Sequence, residues 1–121
     1  MNASGEHQMQ TETFRRWCEQ QLALIEGMEY EKDNNSYEAP HDLMRLQGKR
    51  RVLEKLYTSS LSEPLAKCLE LASELVNEKR EKLEEHRSKK KVHGHLTLKH
   101  ARTLGEYSML CDIERKLLSL E

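Results

Sequence analysis

Residues 104–120 read LGEYSMLCDIERKLLSL. Among their apolar members, Leu104, Tyr107, Leu110, Cys111, Ile113, Leu117, Leu118 and Leu120 return at steps of three and four, the period of a helix rather than a strand. On a wheel of 100° per residue they cover an arc of roughly 200°. One neighbouring helix covers less than that. This helix, expected over 97–120, therefore either lies between two others or offers part of its surface to another molecule.

Working back along the chain, Leu65, Cys68, Leu69, Ala72, Leu75 and Val76 mark the amphipathic first half of a third helix, expected over 63–92. Beyond Val76 the pattern thins to Leu83 within NEKREKLEEHRSKKK, residues 77–91. Such a stretch is supported by pairs like Glu78–Lys82 and Glu85–Lys89, each worth about 0.2–0.5 kcal/mol. It is expected to stand away from the core, with Gly94 as its stop. A second helix is expected over 40–57, carrying Leu43, Leu46, Val52, Leu53, Leu56 and Tyr57. Gly48 interrupts it at a cost of about 1 kcal/mol relative to alanine, which a close approach to a neighbouring helix would explain. Pro40 suits its first turn, and TSSLSEP, residues 58–64, reads as a break that caps the next helix.

A first helix is expected over 11–31, with Phe14, Trp17, Cys18, Leu22, Ile25 and Met28 on one stripe and Phe14 and Trp17 as core anchors. Residues 32–39, KDNNSYEA, read as a loop, and residues 1–10 as a flexible tail before a single helical domain, 11–121. The run Arg45-Leu46-Gln47-Gly48-Lys49-Arg50-Arg51-Val52-Leu53 resembles a helix of small phage-encoded proteins in which a Gln-Gly pair interrupts a Leu-rich stripe. No activity is carried over from that resemblance.

The composition agrees with an all-α bundle of about four helices arranged as paired hairpins. Leucine occurs 19 times against five valines and isoleucines together, and 121 residues suffice for one core. With 36% hydrophobic and 34% charged residues, an enclosed catalytic pocket is not expected. No run of 18 apolar residues is present, so no membrane partner is expected. Cys18, Cys68 and Cys111 are odd in number, widely spaced and set among apolar residues, which fits buried free thiols in an intracellular protein.

Charge is segregated along the chain. Residues 1–42 carry a net −6, 43–62 a net +4, 63–85 a net −3, 86–102 a net +6 and 103–121 a net −2. An acidic first helix beside a basic second one accounts for part of this. The segment 86–102 contains Arg87, Lys89, Lys90, Lys91, Lys99 and Arg102, four histidines and no acid. Those six cations are the candidate anion or nucleic-acid site, and they would also suit nuclear entry in a eukaryotic cell. The aromatic interleaving of a single-strand binder is missing.

Chemistry is otherwise sparse. His86, His93, His95 and His100 cluster, but without a carboxylate and among cations, so neither metal nor cofactor is expected. Glu106 and Glu114 project into the apolar arc of the last helix and are expected to pair with bases of the second helix or to mark a boundary between two neighbours. No nucleophile elbow, phosphate-binding loop, zinc-protease motif or dinucleotide fingerprint occurs. Ala101, Leu104, Gly105 and Cys111 resemble part of a helix-turn-helix, with Gly105 at the turn, but His100, Glu106 and Glu114 stand at its core positions.

The resulting expectation is a non-catalytic interaction or assembly module, an adaptor without a small-molecule substrate. It would self-associate or dock on a protein partner through Leu110, Ile113, Leu117 and Leu120. The alternative is a nucleic-acid or phosphate binder using the basic segment.

Overall fold

The computed structural model describes residues 3–35, 39–93 and 98–121, with side chains for 5, 8–31, 40–87 and 98–121. The described chain is four helices: α1 (Ala3–Asn35), α2 (Ala39–Ser62), α3 (Leu65–His93) and α4 (Leu98–Ser119). The all-α bundle is as the leucine periodicity implies. Gly94 and the centre of the first loop, 36–38, lie outside the described residues.

Polar pairs fix the helices as two antiparallel hairpins. Between α1 and α2, Arg15 Nη2 donates to the Ser60 carbonyl at 2.6 Å, the Tyr57 hydroxyl donates to Glu19 at 3.2 Å, and Arg50 binds Glu29. The first residue numbers rise while the second fall, as antiparallel neighbours require. Between α3 and α4 the same holds. Ser73 Oγ donates to Glu114 at 2.6 Å, Lys79 pairs with Glu106 at 3.0 Å, and the His86 and His100 rings stack with centroids 5.0 Å apart.

The hairpins join mainly through α2 and α4, the most extensive helix contact in the molecule. Glycine makes it possible. A Cβ at Gly48 would overlap the Arg102 carbonyl, and one at Gly105 would overlap the Arg45 carbonyl, so the two backbones touch at this crossing. Gly48 is thus a packing point, and Gly105 lies inside a continuous helix with no helix-turn-helix bend. The core gathers Phe14, Cys18 and Ile25 from α1, Leu46, Val52, Leu53 and Leu56 from α2, Cys68, Ala72, Leu75 and Val76 from α3, and Met109, Leu110, Ile113 and Leu117 from α4. A fully buried leucine contributes about 1.5–3 kcal/mol relative to exposure. Trp17 packs on this core, stacked with Phe14 at 6.1 Å between centroids.

Several boundaries differ from the sequence expectation. Helix α1 begins at Ala3 rather than Thr11, so 3–10 is helical and Gln10 lies at a cleft with α3 and α4. Its residues are polar, yet alanine, glutamine and methionine favour helix without any apolar period. Helix α2 runs through Thr58–Ser62 instead of breaking there. The buried Ser60 hydroxyl donates to the Tyr57 carbonyl, and Arg15 takes the Ser60 carbonyl that the end of the helix leaves free. The next helix starts from the Pro64 carbonyl, which accepts from the Lys67 and Cys68 amides. The polar half of α3 does not stand alone: it lies along the first half of α4 through Lys79–Glu106 and His86–His100. The expected Glu78–Lys82 pair forms at 3.3 Å.

Candidate functional site

Helix α4 lies between α2 and α3, and this uses its wide apolar arc within one chain. Leu110 and Ile113 have 0% of their surface exposed and Leu117 has 2%. The proposed contact residues Leu110, Ile113 and Leu117 are therefore core residues and not a free face. Leu120 is half-buried beside them, lining a cleft with Leu65 and Leu69. On the outer side of α4, Leu118 remains exposed.

Glu106 and Glu114 turn toward α3, not α2. The Lys79 and Glu106 side chains retain only 12% and 9% of their exposure and meet as a desolvated ion pair, while Glu114 accepts from Ser73. Both acids lie where the arc passes from one neighbour to the other and set the register of the second hairpin. Of the six candidate anion-binding residues, Arg87 and Lys99 are exposed, and each adjoins one of the stacked histidines in sequence. Arg102 is held against α2, its Nε donating to Gln47 at 3.2 Å. The side chains of Lys89, Lys90 and Lys91 lie outside the described residues, as do those of His93 and His95. Among the described residues no group of three metal-ligating side chains occurs, and no described helix is long and apolar enough to cross a membrane.

The thiols of Cys18 and Cys68 are buried. Burial, with Cys68 and Glu19 nearby, pushes the Cys18 thiol up to about 12, and burial raises Cys68 as well. Neither is a nucleophile at neutral pH.

Among the described residues, large apolar side chains are exposed on α1 at Leu24 and Met28, as well as at Leu61 of α2 and Leu98 and Leu118 of α4. Helix α1 leans on α2 and barely meets α3 or α4, so a trough remains between α1 and α4 with α2 as its floor. Met28 and Glu31 form one wall, Leu104, Gly105 and Ser108 the other, and Leu46 the apolar base, with Arg45, Lys49 and Asp42 around it. The trough is open to solvent and has a volume of about 520 Å³. Met28 is 45% exposed and Leu24, one turn earlier, 55%. With the half-buried Trp17 and Gln21 they form a second stripe on α1 at spacings of four, three and four. Such spacing is the seam a partner helix packs against.

Sequence periodicity placed Met28 in the core and missed this stripe. Phe14, Cys18 and Ile25 define the inward face, and the 17–21–24–28 series runs beside it. Its heptad-like spacing was the available signal, hidden because Trp17 and Met28 also fit the core pattern. No protein-family model, curated protein or solved structure matches the chain.

Proposed function

We propose that this protein is a non-catalytic helical docking module that receives a partner helix in the trough between α1 and α4. The observation that carries this reading is the exposed Met28 on the wall of a trough with an apolar floor, with exposed Leu24 one turn before it, while Leu110 and Leu117 of α4 are already packed inside. Recognition of this kind depends on a few apolar anchors at helical spacing with charges around them. Leu24, Met28, Leu46 and Leu104 supply the anchors, and Arg45, Lys49 and Glu31 the surrounding charge.

The test is a photo-crosslinking amino acid in place of Met28, used in the full chain inside cells that express it. The reading expects a covalent adduct with a polypeptide, and expects the yield to fall when Leu24→Glu is added. Absence of any adduct from position 28, with efficient adducts from position 118, would contradict it.

A second reading draws on the exposed Arg87 and Lys99, next in sequence to the stacked His86 and His100: binding of nucleic acid or another polyanion at that end of the α3/α4 hairpin. Its signature is an affinity that falls steeply with salt, with a slope that counts neutralised phosphates. Flat binding, or none at low salt, removes it.

A further inference from the structure

We infer that the helix received in the trough is α1 of a second copy of the same chain, paired reciprocally about a two-fold axis. This rests on the docking reading above and names its occupant.

Charge complementarity carries the argument. Residues 17–31 of α1 hold four acids, Glu19, Glu26, Glu29 and Glu31, and no base. Residues 45–51 of α2 hold Arg45, Lys49, Arg50 and Arg51 and no acid. Part of this complementarity already operates within one chain, where Arg50 engages Glu29 and approaches Glu26 at 4.0 Å. Among the described residues Arg45, Lys49 and Glu31 make no ion pair, and all three line the trough. The trough thus offers Arg45 and Lys49 to an incoming acid, with Glu31 and Asp42 beside them, and a helix that meets it needs an apolar edge and an acid placed for the two bases. Residues 17–31 of another copy have that composition, with Leu24 and Met28 as the apolar edge.

The match is also self-consistent. One surface carries both the donor helix and the receiving trough, so each copy can give and accept at once, as an isologous dimer requires. Leu24 and Met28 of each copy would cover Leu46 and Leu104 of the other, and Glu31 of each would face Lys49 and Arg45 of the other. The α1–α2 pairing seen inside the hairpin would be repeated between copies by the charges that the hairpin leaves unused.

A charge-swap mixing experiment tests this directly. Glu31→Lys and Lys49→Glu are made in separate full-length chains, and circular dichroism checks that each keeps the wild-type helicity. In a reciprocal pair each variant alone places like charges together, whereas a mixture restores opposite charges at both contacts. Sedimentation equilibrium at tens of micromolar and low salt should show a dimeric wild type. Each single variant should dimerise at least tenfold more weakly, and the equimolar mixture should recover the dimer. A mixture no more associated than its components, or a monomeric wild type, overturns the inference. If the wild type is monomeric while the photo-crosslinker at position 28 captures a different protein, the second copy is excluded and the docking reading stands. If position 28 captures nothing, both fall.

Discussion

Gly48 and Gly105 bring the main chains of α2 and α4 into contact, each lying where a side chain would collide with a carbonyl of the other helix. That contact joins the two hairpins and places Leu104 and Gly105 opposite Met28 across the trough. The cost of two mid-helix glycines, about 1 kcal/mol each relative to alanine, is offset by the packing that the close crossing allows.

Gly105→Ala and Gly48→Ala should therefore each destabilise the protein by at least about 1–3 kcal/mol, the range for forcing extra atoms into a packed contact. The obstructing atoms are backbone and cannot swing aside. Urea unfolding followed by circular dichroism measures this. Gly27→Ala is the internal control: nothing lies within 4 Å of its added methyl, so it should gain about 0.5–1 kcal/mol.

The Lys79–Glu106 pair is nearly removed from water. Removing Lys79 strands the buried Glu106 carboxylate and should cost about 3–5 kcal/mol, whereas removing Glu106 leaves Lys79 with Glu78 at 3.9 Å and should cost less. Lys79→Met and Glu106→Leu combined should recover most of that loss. A double-mutant cycle from urea unfolding reports the coupling, and additive single effects would show that the pair does not act as a unit.

Burial of the Cys18 thiol has a consequence in alkali. The folded chain holds this proton until about pH 12, whereas an unfolded thiol releases it near 9.0. Above pH 9 the native state thus binds more protons than the unfolded state, so stability is complete below pH 9 and declines as pH rises toward 12. Cys18→Ala should flatten that decline in a pH series of melting curves, at some cost in packing. Thiol titration of the native protein near pH 8 should find the half-buried Cys111 reacting well ahead of Cys18 and Cys68.

Arg15 should matter more than an ordinary surface arginine. It donates to both the hydroxyl and the carbonyl of Ser60, closing the end of α2 against α1. Arg15→Ala should cost about 1.5–3 kcal/mol, the range for hydrogen bonds to a charged donor. Loss of amide protection at residues 58–62 in hydrogen exchange should accompany it.

Much of the architecture was legible because leucine periodicity identifies inward faces. Core residues of α2, α3 and α4 fall on the stripes at Leu46–Leu56, Cys68–Val76 and Leu110–Leu117, whereas the buried Met109 and Ala101 of α4 were not on the expected stripe. The acidic first helix beside a basic second one was legible in the segment charges and appears as Arg50 with Glu29. What periodicity could not give was the identity of the neighbour across each face. A 200° arc on α4 is equally compatible with two internal neighbours or with one neighbour and a partner, and α2 and α3 turned out to be the two. Thr58–Ser60 looked like a break because serine and threonine favour caps, but a tertiary contact from Arg15 holds them in helix. Gly105 was expected inside the last helix, but periodicity gave no reason for a glycine there; its use is room for another backbone.

Inside and outside are reversed from the sequence expectation: Leu110, Ile113 and Leu117 of α4 are internal, and Leu24 and Met28 of α1 are exposed. Thermal unfolding of Leu110→Glu and Met28→Glu side by side tests this most directly. Leu110→Glu should lose its cooperative transition and most of its helicity, while Met28→Glu should melt within a few degrees of the wild type. A folded Leu110→Glu chain beside an unfolded Met28→Glu chain would contradict it.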